Sequence, residues 1–492
     1  MTLGLVALAD ALGATLSDQR GDAAAVTILA VSHDSRQVEP GALYCCVPGE
    51  HFDGHDFAED AARNGATALL VERRIEVDLP QLVVASVRQS MGPAASLVLG
   101  EPSRTLTVIG VTGTNGKTTT VHLLGSILGR DGSKVETHGT LTGARTTPEG
   151  PELQERLADA VASGVRHVAI EVSSHALDLH RVDGTRFRVV IFTNLGHDHL
   201  DHHGNMEQYF RAKARLFTPA FTELAVINVD DPYGQRLADD VETMHLEGSQ
   251  QMQVIRVSIA DAENLSLDGP VANFTWRGLP VALHLAGRYN VLNALGAAAA
   301  AAAVGCDPVD IADALCAAEP PRGRFEFVNI GQPFQVAVDY AHTPDALTAV
   351  LEAGRESLAQ PDGRLLLVFG CGGDRDRAKR APMGRAAVDG ADVVIITNDN
   401  PRSEDPAVII DEVLAGVPQG DRHRDLFVEP DRGLAIGRAV AMAQPGDVVI
   451  IAGKGHETEQ VIGERALSFE DRQAAIAPLR AWLDRTAAGG GT

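Results

Sequence analysis

Aromatic side chains are scarce in this sequence, only 4% of 492 residues, while Ala and Gly abound. The apolar stretches are short runs of Val, Ile and Leu. That composition disfavours a β sandwich and suits a chain of α/β units. Basic residues are also in deficit: 42 Lys and Arg face 66 Asp and Glu, a formal net charge of -24. Such a surface repels a phosphate backbone, so no nucleic-acid partner is expected, and an anionic substrate would need local basic pockets. Cysteines number five and are scattered apart from Cys45-Cys46. They form neither a disulfide framework nor a zinc spacing, which fits a reducing cytoplasm. Long apolar runs are missing as well. The Ala-rich run 297–304 is too short to span a bilayer, and the N-terminal segment carries Asp10 and no basic n-region, so it is a poor signal peptide. No membrane partner is expected, and the length prior suggests about three domains.

The stretch VIGVTGTNGKTTT (108–120) organises what is present. A β-branched strand ends in a loop with Gly113, Asn115 and Gly116, and Lys117-Thr118 opens a helix through Leu123, Leu124 and Leu128. Backbone N–H groups of such a loop wrap a polyphosphate, with Lys117 reaching the outer phosphates and the Thr118 hydroxyl holding Mg²⁺. A nucleoside triphosphate is the expected ligand. The spacing is a variant, because the usual pattern wants Gly where Val111 stands.

The first hundred residues read as a smaller α/β unit: helix 3–12, strands near 26–31, 43–47, 66–71 and 82–84, and helices near 57–64 and 89–99, closed by a linker at 100–103. Its loops 34–36 and 49–54 read first as turns. In the middle region the strand 167–172 ends in Glu171-Val172-Ser173-Ser174-His175, and the strand 189–192 ends in a loop holding His197, Asp198, His199, Asp201, His202 and His203. That loop is either a metal site or a solvated polar loop; imidazoles so near a nucleotide suggest a second, less typical metal position. On the following helix Met206, Tyr209, Phe210, Leu216 and Phe217 define an apolar face that includes Lys213. Burial there lowers an amine's pKa and leaves it able to take up CO₂ as a carbamate, an oxygen ligand for Mg²⁺; the alternative is a lysine whose stem merely covers the core. A strand 225–229 leads to a turn at Asp230-Asp231-Pro232, irregular strands follow over 247–280, and GRYNVLN (287–293) enters an Ala-rich helix where Asn290 and Asn293 either cap it or read an adenine edge.

Beyond Pro320-Pro321 strands and helices alternate: strands 334–338, 365–369, 392–397 and 447–452, with helices 347–358, 383–388 and 408–414 between them. This predicts a parallel, doubly wound sheet. Four polar loops at its strand ends, 339–344, 370–377, 398–402 and 453–457, would converge on a site for a charged small molecule.

Taken in order, TGTNGKTTT, EVSSHALDLHR, TNLGHDHLDHHG, the Lys213 helix, GRYNVLN, DYAHTPD, FGCGGDRDRAKR, DNPRSE and GKGHE resemble the Mur ligases, ATP-dependent cytoplasmic enzymes that extend the peptide of the peptidoglycan precursor. The resemblance spans nearly the whole chain and implies three domains: 1–103 for the UDP-sugar, a central P-loop ATPase with a parallel sheet at 104–321, and a Rossmann-like amino-acid domain at 322–492. ATP and Mg²⁺ are the implied cofactors. UDP-N-acetylmuramoyl dipeptide and diaminopimelate are the implied substrates, and a monomer is expected. By the same resemblance Gly113, Thr114, Asn115, Gly116, Lys117, Thr118, Thr119, Asn290, Asn293, Arg324 and Asp339 surround the nucleotide. Thr118, Glu171, His199 and a carbamylated Lys213 serve the metal, and Lys117, Glu171, His199 and Lys213 the catalysis. Ser35, Glu50, His51 and Phe52 contact the uridine part, and Thr146, Thr147, Ser173 and Arg181 hold the muramoyl dipeptide, with Leu179 where some relatives carry Gln. Arg380, Asp399, Asn400, Pro401, Arg402, Gly453 and Glu457 receive the amino acid; Arg402 would clamp the second carboxylate of diaminopimelate, unless it merely pairs with Glu404. Ligation of lysine or another diamino acid, a folylpolyglutamate synthetase, and a nucleotide-dependent scaffold without catalysis are the rival readings.

Overall fold

A computed structural model describes residues 3–489 apart from 19, 20, 22, 50, 247–251, 359, 361, 419 and 421–424. Its centre is a six-stranded, wholly parallel sheet in the order Gln253–Val257, Leu224–Asn228, Val189–Phe192, Thr107–Thr112, His167–Glu171, Val135–His138. Thr107–Thr112 has His167–Glu171 on one side and Val189–Phe192 on the other, so the chain order reverses there. Ligands of open α/β sheets gather outside the C-terminal strand ends at that reversal. The phosphate loop, Glu171 and Thr193-Asn194 all follow these three strands.

Helix Lys117–Leu128 packs against the Ala-rich helix Arg288–Ala303. Leu123, Leu124 and Ile127 share a core with Ala294, Ala297, Ala298 and Ala301. Small side chains let the two axes approach closely, which brings the start of the second helix to the phosphate loop.

The C-terminal sheet runs Glu326–Phe327, Gln335–Asp339, Val448–Ala452, Leu365–Phe369, Val393–Ile396, Asp425–Val428. It is parallel except for its first, antiparallel pair. A five-stranded sheet forms the N-terminal unit, parallel except for the pairing of Thr15–Ser17 with Gln81–Val83. Among the described residues no helix is long and apolar enough to cross a membrane.

Several expectations need correction. The proposed linker at 100–103 enters a short helix, Pro102–Thr105, and the first helix starts at Leu5 because Leu3–Gly4 pairs as a strand with Thr27–Ile28. Asp230-Asp231-Pro232 is not a free-standing turn: Asp231 Oδ1 accepts from the backbone N–H groups of Tyr233 and Gly234 and starts the helix Pro232–Leu246. The stretch after it is a strand of the central sheet and an antiparallel three-stranded sheet, with residues 247–251 outside the described ones.

The C-terminal unit is tied internally by Arg432 and Asp471, both fully buried, through bonds of 2.6 and 2.7 Å, while Arg432 Nη2 also donates to Ala452 O at 2.9 Å. Arg432→Met strands the Asp471 carboxylate in the interior and should lower stability by about 3–5 kcal/mol. Denaturant unfolding of the purified chain checks this; an unchanged midpoint would contradict it.

Candidate active site

The phosphate loop is held in shape by the neighbouring strand end. Thr193 Oγ1 donates to Asn115 O at 2.6 Å, and Asn194 Oδ1 accepts from Asn115 N at 2.9 Å. A side chain at position 113 is impossible, since its Cβ would lie 1.8 Å from Thr193 Oγ1. At Gly116, with φ +85°, it would lie 2.2 Å from Asn293 Oδ1. These two glycines keep the cradle open for a polyphosphate.

Two lysines close this cradle from beneath. Lys117 Nζ donates to the carbonyls of Gly113 and Thr114, and Lys213 Nζ donates to the same Gly113 carbonyl, each at 2.8 Å. Lys213 is 1% exposed. Burial pushes its pKa well down, the neighbouring Lys117 pushes further, and Asp198 resists. Lys117 is lowered too, chiefly by burial, against the pull of Glu171 and Asp198. Lys213 is therefore a buried amine held towards its neutral form, not a lysine reaching for solvent.

Glu171 is buried at its strand end, accepting from Thr140 N at 2.9 Å and Thr140 Oγ1 at 3.2 Å. His199 lies in the left-handed region at φ +54°, 3.4 Å from Asp198. Burial lowers its pKa, Asp198 opposes, and His175 and both lysines add to the lowering, so its ring is a neutral donor–acceptor. Left-handed backbone in a non-Gly residue is a strain that clusters at working sites.

A cavity of about 310 Å³ opens beside the loop, lined by Asn115, Gly116, Thr119, Asn290, Asn293, Arg324 and Asp339 among others. Asn290 and Asn293 do not cap their helix, whose N-cap is Gly287. Asn290 instead donates to Ala286 O at 2.8 Å, and Asn293 to Asn290 Oδ1 at 3.4 Å. Arg324 stacks over the Tyr340 ring at 4.5 Å, donates to Thr118 Oγ1 at 3.2 Å, and has a buried Nε without a hydrogen-bond partner. The open cradle, the buried cations and this orphaned nitrogen fit a nucleoside triphosphate with its metal.

All four C-terminal strand-end loops line a second cavity of about 210 Å³, which includes Asp399, Asn400, Arg402, Gly453 and Glu457, along with Asp198 and His199 from the central unit. Tyr340 and His342 line both cavities. Arg402 does not pair with Glu404. Its φ is +52°, and Nη1 donates to Gly373 O at 2.7 Å. Glu404 is taken by Arg380, which is fully buried, bonded to Glu404, Glu412 and Gly372 O, and absent from the cavity lining. Arg380 thus braces the loop instead of facing a ligand. Lys454, passed over in the sequence, is fully buried and donates to Asn400 Oδ1, Glu457 Oε2 and Glu459 O at 3.1, 3.0 and 2.7 Å. A lysine between two glycines at a strand end was its one signal. Also in the lining are Asp198 of the histidine-rich loop, His342 of the loop 339–344, and Lys379 within FGCGGDRDRAKR.

The remaining residues fall into two groups. Thr147 Oγ1 donates to Glu171 O at 2.8 Å and accepts from Ser173 N at 3.1 Å, and Thr146 Oγ1 lies 3.1 Å from Thr140 Oγ1. Arg181 Nη2 sits 2.9 Å from Glu149, with Arg88 and Arg145 each 3.8 Å from the same carboxylate. In the N-terminal unit, Ser35 lies in a turn capped by Asp34, His51 is exposed and Phe52 is 74% exposed. Glu50 lies outside the described residues.

Comparison with known proteins agrees with this arrangement. The Mur ligase family, catalytic domain, profile matches residues 27–98, the Mur ligase middle domain 111–301, and the Mur ligase, glutamate ligase domain 323–455. The chain is 43% identical over 486 residues to the UDP-N-acetylmuramoyl-L-alanyl-D-glutamate--2,6-diaminopimelate ligase of Streptomyces coelicolor, covering 94% of each chain. It is 42% identical over 473 residues to the Geobacillus thermodenitrificans protein of that name, covering 92% of this chain and 95% of the other. A solved structure of a ligase with that name superposes with TM-score 0.70 at 31% identity, covering 98% of this chain and 99% of the other.

Gly116→Ala should weaken ADP binding by about tenfold or more, because the added methyl collides with Asn293 and the left-handed backbone resists it. Calorimetric titration with ADP checks this; unchanged affinity would contradict the cradle.

Proposed function

The chain belongs to the Mur ligase family, and we propose that it joins 2,6-diaminopimelate to the D-glutamate side-chain carboxylate of UDP-N-acetylmuramoyl-L-alanyl-D-glutamate, with ATP as the activating substrate. The observation that carries the reading is the pair of cavities joined at Tyr340 and His342, one beside the phosphate loop and one lined by Arg402 and Glu457. A phosphoryl donor and an incoming amine can therefore meet at one place.

The chemistry follows from the inertness of a carboxylate. Transfer of the γ-phosphoryl group of ATP onto the D-glutamate carboxylate releases ADP and makes an acyl phosphate. The deprotonated amine of the amino acid attacks its carbonyl carbon, the C–O bond to phosphate breaks, and an amide and phosphate remain. Thr118, Glu171, His199 and the Lys213 carbamate would hold Mg²⁺, which would supply charge neutralisation for that transfer. Lys117 draws on the outer phosphates. Lys213, its ammonium form disfavoured by burial, reacts as the free amine through its nitrogen with CO₂, releasing a proton and gaining two oxygens. Thr146, Thr147, Ser173 and Arg181 orient the dipeptide; Arg181 exchanges Glu149 for a substrate carboxylate. Arg402 takes the second carboxylate of diaminopimelate and Glu457 its distal ammonium, with Asn400 and Lys454 fixing Glu457. Ser35, His51 and Phe52 contact the uridine part. Domain boundaries at 103 and 321 are supported by the three family profiles, each of which falls within one unit. The enzyme works as a monomer in the cytoplasm.

Phosphate release in the presence of ATP and the UDP-muramoyl dipeptide should require diaminopimelate and be weak with lysine. No release with diaminopimelate would overturn the assignment, and release with folate and glutamate would favour the folylpolyglutamate reading. Arg402→Ala should narrow the preference for diaminopimelate over lysine by about tenfold to a hundredfold, the worth of a charge-assisted clamp; unchanged selectivity would refute the clamp. Lys213→Ala should cut turnover by about a hundredfold or more and be partly rescued by acetate or formate. Full activity in that variant would remove the carbamate from the mechanism.

A further inference from the structure

The loop after strand Val189–Phe192 holds more imidazoles than the phosphate-facing metal position uses. Beyond His199 it folds into the short helix Leu200–His203, which lies against the helix Ser174–Asp178. His202 Nε2 is 2.9 Å from Asp178 Oδ2, and His203 Nε2 is 2.9 Å from Ser174 Oγ. One carboxylate oxygen of Asp178 and one ring nitrogen from each of His202 and His203 all lie within 4.8 Å of one another. His175 packs beside them, its ring centre 4.2 Å from that of His202 and 5.5 Å from that of His203.

We propose that Asp178, His202 and His203 form a binding site for a transition-metal ion of the Zn²⁺ class, separate from the Mg²⁺ position of Glu171 and His199. Two imidazoles and one carboxylate are the donor set that borderline metals prefer and that Mg²⁺ disfavours. Donor atoms about 3.3–3.5 Å apart suit a tetrahedral ion with bonds of about 2.0–2.2 Å, so the three need only small side-chain adjustments to close on it. Access is open, since the side chains of Asp178 and His202 are 52% and 30% exposed, and a fourth position remains for water. The buried His203 anchors the site. Its ring stacks on Tyr209 at 5.0 Å, and the Tyr209 hydroxyl lies 3.0 Å from Thr114 Oγ1 in the phosphate loop. An ion here therefore sits one aromatic ring away from the nucleotide cradle.

The test uses the untagged, full-length chain with Mg²⁺ and ADP in excess, which occupy the nucleotide site, and Co²⁺ as the probe. Titration should yield one equivalent of bound Co²⁺ with the intense visible absorption of a tetrahedral site, displaced by Zn²⁺. His202→Phe and Asp178→Asn, both at exposed positions, should each weaken binding by at least about tenfold while leaving the melting temperature unchanged. Absence of the absorption band in the wild type would overturn the site. So would a band of equal affinity in either variant, because the ion would then rest on other groups. Should His202→Phe fail to fold, Asp178→Asn alone decides between the two results.

Discussion

Two lysine side chains meet on a single carbonyl oxygen, that of Gly113, and among the described residues neither has a carboxylate in contact. In a low-dielectric interior, like charges so placed cannot both persist without a compensating anion. The site resolves this asymmetrically. Lys117, the first residue of the helix, is partly exposed, where a polyphosphate would supply the negative charge. Lys213 lies behind it and is driven towards the neutral amine, the only form that captures CO₂. The rest of the central unit serves this pairing: Thr193 and Asn194 lock the loop, Gly113 admits no Cβ, and Tyr209 packs its ring 4.7 Å beneath Lys213 Nζ while its hydroxyl lies 3.0 Å from Thr114 Oγ1.

The C-terminal unit shares an apolar cluster with the central one, where Ala286 and Tyr289 lie with Phe325, Leu347, Val350 and Ala353, and it reaches the phosphate loop through polar contacts. Arg324 donates to Thr118, and Asp345 Oδ2 accepts from His197 N at 2.9 Å. The polar contacts are exchangeable for ligand contacts at little cost. Thr118, the residue suited to a metal, is engaged by Arg324, a residue suited to a phosphate. A bound nucleotide and its metal would offer each a new partner, so ligand binding and the contact between the two units would draw on the same side chains.

Much of this was legible in the sequence. Runs such as Ala66–Val71, Val189–Phe192 and Leu365–Phe369 are strands to the residue, because a short β-branched or leucine-rich block between polar ends has no other buried solution. Lys213 could be placed on an apolar helix face by spacing alone. Two of the misread places share one cause. Asp231-Pro232 looks like a turn, and Asp307-Pro308 drew no helix, yet Asp as N-cap followed by Pro in the first turn starts a helix at both places. Arg380 was misjudged for another reason. Its partners Glu404 and Glu412 come from beyond the next strand, and no local pattern reveals that a guanidinium is already saturated. Lys454 was overlooked because burial of a lysine under Asn400 and Glu457 is a tertiary fact.

The central claim is that Lys213 is a neutral, CO₂-reactive amine beneath the phosphate loop. Its most direct test is ¹³C NMR of the enzyme equilibrated with ¹³C-bicarbonate and ADP. The account predicts one protected carbamate resonance in the wild type that is missing in Lys213→Ala. A wild-type spectrum without such a resonance, or one that persists in the variant, would contradict it.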